Sequence, residues 1–305
     1  MSSSTIAPTV KSSVMLIKRV VVGTLLSVGF AVVVWFDSLG LVQTVPGVWL
    51  IPVALAAAFV ATEELLRLFE TRGIMPKPWL VRCGVAIVVL SAFVDHAGIH
   101  AQGGIGDVAA ALTLTIIAIM GTAAYDYQPN SKNFERLAFG IFVVVYVGFF
   151  MSMICRLRFV DLSNGILPLV SMIAVVKAGD IAAYIIGSVA GRHRFAPSLS
   201  PGKTWEGVVA SLAASIAMSW FFFHGNPLNF VPRSGHPWGG WMVYGVALGL
   251  AGICGDLFES LLKRDMSAKD SGGILPGLGG VLDLLDSLLA AGPLALLLWS
   301  WSPSL

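Results

Sequence analysis

Residues 256 to 287 hold an unusual density of side chains that bind metals and phosphates. Asp283, Asp286 and Ser287 recur at i, i+3 and i+4, which puts both carboxylates on one side of a helix. Asp256, Glu259, Ser260 and Lys263 repeat the pattern just upstream. Farther back, Lys177, Asp180 and Tyr184 share a helix face. Facing pairs of carboxylates make a hard oxygen-ligand site of the kind that suits Mg²⁺. Between the two acidic helices lie Arg264, Lys269, Asp270 and a glycine-rich turn containing Gly272, Gly273, Gly277, Gly279 and Gly280. Glycines let the backbone approach a ligand closely, and their amides lead into a helix N-terminus, where anions are favoured. A second polar run, GRHRFAPSLSPGKTWEG at 191–207, adds Arg192, His193, Arg194, Ser198, Ser200, Lys203 and Thr204. Together these residues suit phosphate chemistry with a bridging metal. The competing structural explanations are a tight turn, a self-compensating Lys177–Asp180 ion pair and a basic loop that sets topology.

The elements that must position this chemistry are transmembrane helices. The chain has 305 residues, of which 56% are hydrophobic and 12% charged, with a mean hydropathy of +0.84. A soluble domain carries roughly a quarter charged residues. The composition therefore points to an integral membrane protein and excludes a soluble globular enzyme. With about 20 apolar residues needed to cross a bilayer core, spans are expected at 20–36, 47–62, 80–95, 108–125, 137–155, 166–188, 205–223, 240–260 and 282–301. The fold class is all-α: a polytopic membrane protein of about nine helices, with the lipid bilayer as its solvent. The chain forms one integral unit, with N-terminal helices over 1–160 and a catalytic region over 161–305. The first apolar run is taken as a retained span, with a cleaved signal peptide as the alternative.

Fifteen of the 19 Lys and Arg fall on the side shared by the N-terminus, against Arg156, Arg158 and Arg233 on the other. That bias places the N-terminus and the polar cluster in the cytoplasm. An intramembrane ionisable group costs several kcal/mol and by default marks a functional site. Cys83, Cys155 and Cys254 show neither metal nor disulfide spacing and are expected to act as small hydrophobes. His96 and His100, beside Asp95, have helix spacing for a metal but fall in a glycine-containing loop.

The motifs resemble the phosphatidate cytidylyltransferase (CDP-diglyceride synthetase) family. The family's C-terminal signature runs S-x-x-K-R-x4-K-D-x-G, then P-G-H-G-G, then D-R-x-D-S. Here Ser260, Lys263, Arg264, Lys269, Asp270 and Gly272 match the first part. Pro276, Gly277, Gly279 and Gly280 match the second, and Asp283, Asp286 and Ser287 the third. Gly255, Asp256 and Glu259 fit the lead-in. D-x-x-A-Y-x-x-G starts at Asp180, and S-P-x-K-T-W-E-G covers Ser200 to Gly207. The resemblance covers roughly 180–290, and Leu278 and Leu284 replace the family's histidine and arginine.

The resemblance implies transfer of a cytidylyl group from CTP to phosphatidic acid in a bacterial cell membrane, with Mg²⁺ as cofactor. It implies metal ligands at Asp256, Asp283 and Asp286, with Asp270 and Asp180 behind them. Lys203, Lys263, Arg264 and Lys269 would hold phosphates, and Ser200, Thr204 and Ser260 would add hydroxyls. Gly277, Gly279 and Gly280 would admit the ligand, and Glu206 and Glu259 would orient the cations. A homodimer is compatible with the resemblance, and no nucleic acid is expected as a partner. The alternatives are an impaired member of the family, another CTP-dependent lipid enzyme, and a transporter with interrupted helices.

Overall fold

The structure, a computed structural model, describes residues 23, 25, 28–37, 47–94, 105–129, 132–160, 166–224, 237–268, 272 and 279–301. Nine helices run through them: α1 Val28–Asp37, α2 Leu50–Glu70, α3 Pro78–Ser91, α4 Gly106–Tyr125, α5 Asn133–Arg156, α6 Leu167–Val189, α7 Trp205–His224, α8 Gly240–Asp265 and α9 Leu282–Ser300. Six of these, α4 to α9, are long and apolar enough to cross a membrane, while α1 and α3 are shorter apolar helices. The expected spans fall on the nine helices, with two differences in length.

Helix α2 continues to Glu70, past the expected end at 62, because Leu65, Leu66, Leu68 and Phe69 bury a continuing face while Gly73 and Pro76 come later. Helix α8 likewise continues to Asp265 through polar residues whose partners lie on other elements. The polar run at 191–204 is not the plain loop expected. It folds into an antiparallel hairpin, β1 Arg194–Ala196 and β2 Ser200–Thr204, with Arg194 opposite Thr204 and Ala196 opposite Ser200.

Two helical layers build the core. In the N-terminal layer, α2, α3 and α5 pack around Leu65, Phe69, Val85, Val88, Val143 and Val147, all buried. Arg158, just past α5, donates from Nε to Asp37 Oδ2 at 2.6 Å, while Asp37 Oδ1 accepts from Gly47 N at 2.8 Å. That buried pair fixes the end of α1. Helix α5 is α-helical except at Val144–Phe149, a π-helical stretch. Its Gly148 lies so close to α3 that a Cβ would stand 3.3 Å from Val85 Cα.

The C-terminal layer is α6 to α9, and small residues set its spacing, as is usual between membrane helices. A Cβ on Gly179 of α6 would stand 2.6 Å from Ser215 Oγ of α7. A Cβ on Gly252 of α8 would stand 3.3 Å from Val176 Cγ1 of α6 and 3.8 Å from Ser287 Cβ of α9. A Cβ on Gly255 would collide with the Asp286 carbonyl oxygen. These contacts bring α6, α8 and α9 together where their charged residues lie. Cys83, Cys155 and Cys254 are free thiols.

Candidate active site

Three lysines tie the polar residues into one centre, each bridging two elements. Lys263 of α8 donates from Nζ to its own helix neighbour Glu259 at 2.7 Å and to Asp283 of α9 at 2.6 Å. Lys177 of α6 donates to Asp180 at 2.9 Å, to the Leu284 carbonyl at 2.9 Å and to Ser287 Oγ at 2.9 Å. Ser287 Oγ in turn donates to Asp180 Oδ2 at 2.9 Å. Lys203, from β2, stands 3.2 Å from Asp256 Oδ2 of α8. Lys177 and Asp180 thus form the ion pair foreseen as a structural option, but with α9 as a third party. Each pair offsets part of the desolvation cost of the other charges.

The first turn of α9 is held from both directions. Gly279 has φ +94°, a left-handed conformation suited to glycine, and a Cβ there would strike Asp283 Oδ2. The following amide, Gly280 N, donates to the same oxygen at 2.6 Å. Glu64, buried on α2, accepts from Val281 N at 3.0 Å and from Leu282 N at 2.8 Å. A carboxylate at this end of a helix satisfies free amides and complements the helix dipole. Gly272 packs against the same carboxylate, and a Cβ there would run into Oε1. Sequence reasoning missed Glu64. The signal was the Glu63-Glu64 pair at the end of an apolar run, and ending the span at 62 assigned both to a loop. Glu63 forms a two-pronged pair with Arg82 of α3, its Oε2 accepting from Nη2 at 3.0 Å.

Asp286 is buried, and its Oδ1 accepts from Ser287 N at 2.6 Å. The charges of Asp256 and Asp180 act on it, and Asp180 acts on Asp256. Asp180, Asp256 and Asp286 are therefore near neighbours drawn from α6, α8 and α9. Asp283 stands apart from them, engaged by Lys263 and Gly280. Among the described residues no three His, Cys, Asp or Glu side chains are gathered tightly enough to cage an ion unaided. Mg²⁺ commonly takes one or two carboxylates, keeps several waters and borrows substrate phosphates. The hard oxygen donors of Asp256 and Asp286 fit that demand.

The hairpin closes one side of the centre. Arg264 Nε donates to the Leu199 carbonyl at the hairpin turn, at 3.3 Å. Thr204 Oγ1 accepts from Gly207 N at 3.2 Å and so caps α7, while Glu206 Oε1 meets His193 Nδ1 at 2.7 Å. Ser200 and Ser260 are half-buried, whereas Arg192, Arg194, Ser198, Tyr184 and Arg264 are exposed. Lys269, Asp270, Gly273, Gly277 and Leu278 lie outside the described residues, as do Asp95, His96 and His100. Leu284 is half-buried in the first turns of α9.

Among the described residues, two buried polar atoms of the centre meet no well-aligned hydrogen-bond partner: Lys203 Nζ and Glu259 Oε1. Lys203 has its ion pair with Asp256 at 3.2 Å, which leaves the amine further donors to give. Such groups are rare in folded proteins and call for an explanation.

A sequence model of the Cytidylyltransferase family matches residues 17–301. The chain belongs to this family. It is 31% identical over 244 residues to the phosphatidate cytidylyltransferase of Staphylococcus aureus strain COL, covering 78% of this chain and 84% of that one. It is 36% identical over 148 residues to the phosphatidate cytidylyltransferase of Haemophilus influenzae, covering 47% of this chain and 51% of that one. A third similar protein, the phosphatidate cytidylyltransferase of Chlamydia muridarum, is 41% identical over 130 residues, covering 43% of this chain and 42% of that one. In the last two cases the match spans about half the relative's length or less.

Proposed function

We propose that the chain transfers a cytidylyl group from CTP to phosphatidic acid, releasing pyrophosphate and leaving CDP-diacylglycerol in the membrane. The observation that carries this is the charged centre itself. Three lysine-bridged carboxylate groups converge on the first turns of α9, and Lys203 Nζ and Glu259 Oε1 are buried there without a well-aligned hydrogen-bond partner among the described residues. The excess of Lys and Arg on the loops of one side supports a cytoplasmic position for that end, where CTP is found.

In the reaction an oxygen of the phosphatidic acid monoester forms a bond to the α-phosphorus of CTP, and the bond from that phosphorus to pyrophosphate breaks. The monoester has a second pKa of about 6, so it is largely dianionic near neutral pH and needs little help from a base. The barrier is the approach of a dianion to a polyanion. Lys203 is the residue best placed to lower it, because its amine has hydrogen-bonding capacity to spare. Lys263 is already shared by Glu259 and Asp283. It acts first by holding α8 to α9, and a phosphate entering the centre would compete for it. Asp256 and Asp286 would hold Mg²⁺. Bound there, the ion would neutralise phosphate charge and favour in-line geometry. Asp283 keeps the Gly279–Gly280 turn closed over the end of α9.

The test is cytidylyl transfer by the purified protein with phosphatidic acid, radiolabelled CTP and Mg²⁺. Labelled CDP-diacylglycerol that disappears with EDTA is the expected result. An inactive protein that gains activity on Leu278→His with Leu284→Arg would identify an impaired member of the family instead. An inactive protein that stays inactive with both changes would sink the proposed reaction.

A further inference from the structure

The π-helical stretch of α5 carries Tyr146, which lies in the N-terminal half and outside every motif at the charged centre. A π-helical stretch rotates the side chains that follow it and often marks a functional position. Here the Tyr146 ring stacks on Phe142, with centroids 5.3 Å apart and planes at 14°, and meets Phe258 edge-on at 5.3 Å. Phe258 immediately precedes Glu259 on α8. The ring is buried, and its hydroxyl has no hydrogen-bond partner. The charges acting on that hydroxyl come from Asp286, Glu259 and Asp256.

Glu259 presents a matching vacancy of bonding. Its Oε2 accepts from Lys263, while its buried Oε1 accepts from no donor among the described residues and has the Asp283 carboxyl as its neighbour. A donor and an acceptor are thus buried within electrostatic reach of each other, and neither bonds the other. Leaving both unsatisfied is costly, and the usual remedy is a third atom bonded to each.

We propose that Tyr146 is part of the active centre: its hydroxyl donates to an oxygen from outside the chain, either a water that also donates to Glu259 or, displacing that water, an oxygen of a substrate phosphate. A water there donates its own protons to Glu259 and so braces Lys263 and Asp283. A phosphate oxygen there accepts from Tyr146 directly. This inference rests on the proposed role of the charged centre but not on which reaction is run there.

The deciding experiment is a high-resolution structure of the protein in lipid nanodiscs, with and without CTP and phosphatidic acid, for wild type and Tyr146→Phe. The expected result is non-protein density about 3 Å from the Tyr146 hydroxyl, lost in the variant. Density in both wild-type states identifies water, and density only with substrates identifies a phosphate oxygen. A direct bond from Tyr146 to Glu259 or Asp286, or no density in either state, overturns the proposal. Turnover gives a second reading, because phenylalanine keeps the ring and its packing. Tyr146→Phe should lower kcat/KM by about 10- to 100-fold, as loss of an outer-shell partner typically does, with its melting temperature unchanged. Wild-type kinetics in the variant also overturn the proposal. An inactive wild type counts against the cytidylyl reaction, and the density then judges Tyr146 alone.

Discussion

The two ends of the α6–α9 bundle solve the burial of polar groups in opposite ways. At one end, Tyr244 of α8 is fully buried, and its hydroxyl is satisfied by Ser171 Oγ at 3.2 Å and by Trp299 Nε1 at 3.4 Å. Phe223 and Trp299 meet its ring at 5.6 and 6.4 Å. Nearby, Ser219 Oγ donates to the Trp241 carbonyl at 2.7 Å, and Trp238 N donates to the Leu298 carbonyl at 2.7 Å. At the other end, the same helices, with the adjoining hairpin, bury lysines and carboxylates, and Lys203 Nζ and Glu259 Oε1 make no hydrogen bond with a donor or acceptor among the described residues. The fold is therefore able to satisfy a buried hydroxyl where only packing is at stake. The ligands proposed for the charged end would supply partners for the groups left open there. A satisfied network contributes stability, whereas an unsatisfied one reduces stability until a ligand completes it.

This contrast can be broken by substitution at either end. The largest effect is expected at the carboxylates. Asp286→Asn should lower turnover by about 100-fold or more, the scale of losing electrostatic stabilisation of the transition state, with a far smaller change in melting temperature. Asp283→Asn should lower turnover and melting temperature together, because it weakens both the Lys263 pair and the Gly280 bond, which a thermal scan alongside the CTP assay would check. Lys203→Met comes next, with an expected rise in KM for CTP of about tenfold from the loss of one charge-assisted contact. Unchanged KM would remove Lys203 from the phosphate site. Glu64→Gln should act on stability before chemistry. It weakens the cap of α9 by about 1 kcal/mol, readable as earlier unfolding in detergent, with turnover falling only as the α9 turn loosens. Tyr244→Phe is the control at the aromatic end. It removes hydrogen bonds worth about 1 kcal/mol and should leave turnover within about twofold. A large loss of activity there would erase the distinction between the ends.

Much of this architecture was legible in the residues. Nine apolar runs separated by charge or Gly/Pro mark nine helices, and α4 to α9 have the length that bilayer thickness imposes. The helix-face spacing of Asp283 with Asp286, and of Asp256 with Glu259 and Lys263, was legible for the same geometric reason: 3.6 residues make a turn. In the structure Asp283 meets Lys263, and Asp286 feels Asp256, so the two helices address each other. The hairpin was hidden because strands of three and five residues, with Pro201 and Gly202 in the second, show no alternation. Glu64 was hidden because its amide partners are 217 and 218 residues away. Gly252 resembled an ordinary small residue in a span and Gly255 was legible only as part of a motif, and only the packed helices show which carbonyl and side chains they admit.

The cap that Glu64 places on α9 has a consequence for how the chain is made. Ribosomes release α2 long before α9, so the two amides that receive Glu64 in the finished protein are among the last to appear. Until residue 282 has been synthesised and inserted, Glu64 of α2, a helix that also carries Glu63, Arg67 and Glu70, lacks these two backbone donors. The growing chain therefore passes through a stage in which this end of α2 is less firmly held, and arrival of the final helix ends that stage. Chains stalled before residue 280 should be cleared by membrane proteases faster than full-length chains. Glu64→Gln, which weakens that hold in the finished chain, should narrow the gap in lifetime.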